Sequence, residues 1–160
     1  MPVAIHTSRP ATAADEPVLL ALFSETRGAE LAAAGLDSVA LGRLIALQYR
    51  SHSAQVAADH PFATTRMLEA GGEIVGSIVV DRTGEQVHLV DIVVTETARG
   101  RGHGSMALGE LISESTVAGR NVTLTVWAGN DRAVALYERL GFTTVGERSG
   151  YLAMMLEVCA

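Results

Sequence analysis

The segment Arg99-Gly100-Arg101-Gly102-His103-Gly104 follows an apolar run, Val87 to Val94, and opens a stretch patterned as a helix. Its glycines let the backbone approach a ligand closely, and the first amides of a helix point outward unpaired at the positive end of the helix dipole. That combination binds anions, phosphate above all. A Walker-type nucleotide loop requires Lys and then Ser or Thr after its last glycine; His103, Gly104 and Ser105 occupy that neighbourhood, without a lysine. A dinucleotide fold is a closer match, since Gly102, Gly104 and Ala107 satisfy Gly-x-Gly-x-x-Ala between a strand and a helix. The strand about twenty residues on, Val122 to Val126, nevertheless offers Thr123 and Thr125 where that fold places an acid for the ribose, and no βαβ series repeats.

Around this loop the elements read as follows. Val3 to Arg9 starts as a strand, and Thr12 with Asp15 forms a helix-capping pair ahead of Leu19, Leu20, Leu22 and Phe23. Gly28 and Gly35 interrupt the next segment. Asp37 or Ser38 then caps a second helix that fades near Asp59, and Pro61 ends any helical pattern. Thr64 to Glu69, Ile74 to Val80 and Gln86 to Thr95 are strands joined by tight turns. Gly102 to Ala118 is a helix, Val122 to Val126 a strand, and Asn130 to Leu140 a helix stopped by Gly141. Phe142 to Val145 and Tyr151 to Val158 close the chain as a hairpin. This order predicts an α/β fold: a mixed sheet of about seven mostly antiparallel strands, one central parallel crossover and four helices.

The bulk properties bound the function. With 160 residues, 48% hydrophobic and 19% charged, the chain fits one domain over residues 1–160. No apolar run reaches the roughly 20 residues of a membrane span, and the N-terminus lacks a secretion signal, so a soluble, cytoplasmic protein is expected. The lone cysteine, Cys159, permits no internal disulfide. A net charge of −6 and a pI near 5.3 argue against nucleic-acid binding and mildly favour cationic substrates. Gln48, His52 and His60 have no metal-ligand spacing and no acid or cysteine cluster to complete a site, so no metal is expected.

Arg99-x-x-Gly102-x-Gly104, preceded by Ile92-x-Val94, resembles the acyl-coenzyme A loop of the GNAT superfamily of N-acetyltransferases. A second stretch supports the resemblance independently. Asn130-Asp131-Arg132-Ala133-Val134-Ala135-Leu136-Tyr137-Glu138-Arg139-Leu140-Gly141-Phe142 is similar to that family's Asn-x-x-Ala-x-x-Leu-Tyr-x-x-x-Gly-Phe. Arg9-Pro10-Ala11-Thr12 is similar to the entry into its first helix. One departure is Glu96, where the family often has proline; it should alter the exit from the strand rather than the chemistry.

The resemblance implies acetyl-coenzyme A as cosubstrate. Its pyrophosphate would meet the backbone amides of about Arg101, Gly102, His103, Gly104 and Ser105, with Arg99 at the entry and Gly100 within the same cofactor-binding loop. Its pantetheine would run along Ile92, Val93 and Val94, on a strand edge splayed from its neighbour, as an extra strand would. Asn130, Ala133 and Tyr137 recur at i, i+3 and i+7 and so line one helix face, with Leu136 and Leu140 on an adjacent core face. The resemblance assigns Tyr137 as general acid for the departing thiolate, and a neutral phenol suits that task.

An ammonium acceptor must lose a proton before it attacks. His88 and Asp91 are the candidate bases, with solvent as the third option. His88 falls where many family members carry glutamate, and an imidazole's ordinary pKa of about 6.5 fits. Asp91 falls where some members carry an acid that holds a cationic amine. Their odd separation puts them on opposite faces of a regular strand, unless the strand is bulged. Tyr49, His52 and Gln55 on the second helix, and Arg148 and Tyr151 at the last turn, are candidates to border the acceptor. The expectation is acetyl transfer to a primary amine, on a small molecule or on a peptide or protein, by direct attack in a ternary complex. A homodimer would accord with the resemblance. The rival is a non-catalytic module that binds acyl-coenzyme A for regulation.

Overall fold

The computed structural model describes residues 6–158. The expectations for Val3 to Ile5 and for Cys159 lie outside them. A seven-stranded sheet runs in the order β1-β2-β3-β4-β5-β7-β6, with β1 His6–Pro10, β2 Thr64–Ala70, β3 Glu73–Asp81, β4 Val87–Val94, β5 Val122–Trp127, β6 Thr143–Arg148 and β7 Tyr151–Leu156. All neighbours are antiparallel except β4 and β5, which are joined by the crossover helix α3, His103–Val117. The remaining α-helices are α1 Glu16–Ala32, α2 Ser38–Asp59 and α4 Asp131–Arg139, with short 3-10 helices at Ala13–Asp15 and Glu96–Ala98.

Thr12 and Asp15 form the anticipated capping box, and Arg9 clamps the same carboxylate with two hydrogen bonds of 2.7 and 2.8 Å. Gly28 does not interrupt the chain as expected, because α1 runs through it to Ala32. A glycine inside a helix costs only about 1 kcal/mol, less than burial of residues such as Leu22 returns. The break falls instead near Gly35, whose φ of 70° places it in the left-handed region.

The two faces of the sheet have different fates. Leu68, Val75, Ile78, Val80, Val87 and Leu89 pack with Leu108 and Leu111 of α3 and with α4 in one continuous apolar cluster. On the opposite face Thr65, Ser77, Val79, Asp91 and Val93 line a cavity of about 400 Å³ roofed by α1 and α2. Among the described residues no helix is long and apolar enough to cross a membrane.

Candidate active site

Two irregularities of β4 build the site. The first is a bulge: Val79 pairs with Asp91 but Val80 pairs with Leu89, so Val90 has no partner on β3. The extra residue reverses the alternation. Leu89, Ile92 and Val94 all contact the apolar cluster, while Asp91 and Val93 face the cavity. His88 and Asp91, an odd number apart, therefore share a face.

The second irregularity is a splay. β4 pairs with β5 only through Val87, His88 and Leu89, and beyond Leu89 its edge towards β5 is free. Unpaired strand edge is what an amide-bearing chain such as pantetheine requires. On the β3 side the fit is tight, because a methyl at Gly76 would collide with the Val93 carbonyl.

The loop after β4 is shaped by Gly100 and Gly102, with φ of 75° and 86°. Gly102 is the N-cap of α3 and brings no side chain to it, and the Met106 amide is the first that the helix itself takes, bonding the Gly102 carbonyl. The amides of His103, Gly104 and Ser105 are left for an anion. Arg99 straps the loop to the strand, donating Nε to the Val94 carbonyl at 3.1 Å. The His103 ring turns inward and stacks on His6 at 5.9 Å, so only its backbone faces the loop's exterior. Glu96 donates its amide to Glu25 of α1 at 2.7 Å, a bond that the family's proline could not make.

Asn130 caps α4, its side chain accepting from the Ala133 amide at 3.2 Å. Tyr137 is more buried than its neighbours Leu136 and Leu140, reversing the order expected for this helix, and meets Phe142 edge-on at 5.8 Å. Burial, and after it the charge of Asp91, push the Tyr137 phenol up to about 12. The phenol is therefore a proton donor across the physiological range.

Asp91 stands on the cavity wall. Burial pushes its carboxyl up, while His52, the Ile92 amide and Arg27 pull the other way. Its carboxylate has no salt-bridge partner among the described residues. His88 is not part of that wall. Burial pushes it down, and its Nδ1 lies 2.9 Å from Thr123 Oγ1.

Tyr49 and His52 line the cavity together with Phe23, their ring centroids 5.5 and 5.6 Å from its own. Gln55 does not, being exposed and bonded to Asp59. Arg148 and Tyr151 also lie elsewhere. They pair across the exposed β6–β7 hairpin, which the sheet order carries to the edge far from α1 and α2. Phe23, Ser77 and His60 are wall residues that the sequence did not single out. Only the helical spacing of Phe23 with Leu19 and Leu22 hinted at one of them.

Among the described residues no cluster of three or more His, Cys, Asp or Glu side chains could hold a metal ion.

Residues 37–142 match the family model described as the acetyltransferase (GNAT) family. No curated protein sequence matches significantly. Among solved structures, the PaiA N-acetyltransferase of Thermoplasma acidophilum, in complex with coenzyme A, superimposes with a TM-score of 0.72 at 14% identity, over 96% of this chain and 99% of that one. An acetyltransferase of Corynebacterium glutamicum, described as histone acetyltransferase HPA2 and related acetyltransferase, does so with 0.69 at 22%, over 97% of each. The ribosomal-protein-S18-alanine N-acetyltransferase of Escherichia coli gives 0.63 at 20%, over 98% and 96%. At these identities the likeness is one of fold.

Proposed function

The chain belongs to the acetyltransferase (GNAT) family, whose members carry out acyl transfer, and on that premise we propose that it moves an acetyl group from acetyl-coenzyme A to a primary amine. The observation that carries this reading is the unpaired edge of β4 beyond Leu89, flanked by Asp91 on one face of the sheet and by Tyr137 on the other. One comes from the cavity face, the other from the helix α4 face, and the charge of Asp91 adds to burial in pushing the Tyr137 phenol up.

In this reading the amides of His103 to Ser105 hold the pyrophosphate and the free edge of β4 carries the pantetheine, which delivers the thioester into the gap between β4 and β5. An ammonium group entering the α1–α2 cavity is drawn to Asp91, which makes no salt bridge among the described residues. Holding amine and thioester together supplies most of the acceleration. The amine attacks the carbonyl directly, and Tyr137 donates a proton to the sulfur as the C–S bond breaks. A thiolate with a pKa of about 8 to 9 leaves more readily when a positioned donor meets it.

The test is calorimetry with acetyl-coenzyme A alongside a thiol-release assay over a panel of small primary amines, amino acids and peptides. Release that depends on an amine, with the acetylated amine identified by mass, supports the reading. Binding without release on any amine favours a coenzyme A-binding module and overturns it.

A further inference from the structure

His60 ends α2, where the following Pro61 forbids another helical turn, and its ring reaches back to the sheet. Its Nδ1 lies 3.2 Å from Asp81 Oδ2 at the end of β3. The other Asp81 oxygen accepts the Thr83 amide at 2.9 Å and the Thr83 hydroxyl at 2.6 Å. Asp81 is thus oriented from both sides. Facing a carboxylate, Nδ1 carries the proton, and the lone pair is left on Nε2.

One face of the His60 ring stacks on His88, with centroids 5.0 Å apart and planes 14° from parallel. His60 also lines the cavity that holds Asp91. Because of the bulge, His88 and Asp91 are one same-face step of β4 apart, about 7 Å. His60 therefore lies near the position where an amine bound to Asp91 would sit.

We propose that His60 is the base that takes the proton from the acceptor amine, and that Asp81 is its positioning residue; the inference rests on the N-acetyltransferase reading above. An N–H bond of the ammonium breaks, its electron pair stays on nitrogen, and the proton passes to His60 Nε2 directly or through water. The freed amine attacks the thioester carbonyl. Tyr137 gives its proton to sulfur as the C–S bond breaks and recovers one from the acylated nitrogen. His60 then releases its proton to solvent, so one proton leaves per turnover. The titratable groups facing His60 are Asp81 from β3 and His88 from β4, with Asp91 of β4, Glu16 and Arg27 of α1, and Tyr49 and His52 of α2 further along the same wall. His88 does not compete for the proton, since its Nδ1 is engaged by Thr123 and burial disfavours its charged form.

The experiment measures kcat/KM against pH, with an amine that the wild type acetylates, for the wild type, His60→Gln, Asp81→Asn, and His60→Gly with and without imidazole. His60→Gln is expected to lose about 10²-fold or more in kcat at neutral pH with the KM for acetyl-coenzyme A unchanged. Its rate should rise with pH towards the amine's own pKa, where the wild type has levelled off. Imidazole should restore His60→Gly in a saturable way, and Asp81→Asn should lie between His60→Gln and the wild type. A purely structural clasp between α2 and β3 would lower the melting temperature without moving the pH profile or allowing rescue. A wild-type pH profile in His60→Gln overturns this inference alone, as does a folded His60→Gly that imidazole does not restore. A wild type that acetylates no amine overturns the reading beneath it and this inference with it.

Discussion

The Asp91 carboxylate, on one face of the sheet, lies close enough to the Tyr137 phenol, on the other, for its charge to add to burial in pushing that phenol up to about 12. Removing the charge should let Tyr137 ionise at lower pH. Asp91→Asn should show this as an earlier rise in tyrosinate absorbance. It should also raise the KM for the amine by about 10- to 100-fold, the worth of one charge-assisted hydrogen bond, with acetyl-coenzyme A binding unaffected. An unchanged amine KM would remove Asp91 from the acceptor site.

Asp91 and Asp81 should affect stability in opposite directions. The Asp91 carboxyl is raised in the folded chain, so its contribution is full at low pH and is lost as pH rises through the folded value. Asp91→Asn should therefore raise the melting temperature of the ligand-free chain at pH 7 more than at pH 3. Asp81 is held down at about 2 by Thr83 and then His60, so its contribution is present above the ordinary value of about 3.9 and is lost as pH falls towards 2. Asp81→Asn should lower the melting temperature at pH 7 and flatten its fall on acidification. Calorimetry from pH 2 to 7 measures both.

Gly76 lets β3 press directly against the backbone of Val93. Gly76→Ala should displace the part of β4 whose other edge awaits pantetheine. The expected outcome is an acetyl-coenzyme A KM raised at least as much as the amine KM, with a lowered melting temperature. A variant with wild-type affinity for acetyl-coenzyme A would show that this edge does not carry the cosubstrate.

Glu25 joins the roof of the acceptor cavity to the loop through the Glu96 amide. Glu25→Ala and Glu96→Pro break the same bond from its two ends, and proline is compatible with the first position of a short helix. Each should raise the amine KM by a few-fold, and the double variant should be no worse than the more impaired single one. Additive effects would mean that the bond does not couple the two parts.

The parts of the site that were legible in the sequence are those where backbone conformation restricts residue choice. Gly100 and Gly102 adopt positive φ and announce the loop, and Asn130 caps the helix that its type suggests. The bulge at Val90 was not legible, because Val87 to Val94 is apolar on both faces apart from His88 and Asp91, and the slip is set by pairing with β3. The depth of Tyr137 was hidden for a similar reason: helical spacing gives a face, but the sheet decides which face is covered. His60 and Asp81 meet only through the packing of α2 on β3, and Arg148 with Tyr151 is carried away from the site by a strand order that no local signal encodes.

The most direct measurement is amine-dependent thiol release by Tyr137→Phe, compared with the wild type at saturating acetyl-coenzyme A. Phenylalanine fills the same space against Phe142, so the fold and cosubstrate affinity should persist, while kcat should fall by about 10²-fold or more. A Tyr137→Phe variant that releases thiol at the wild-type rate would contradict the account.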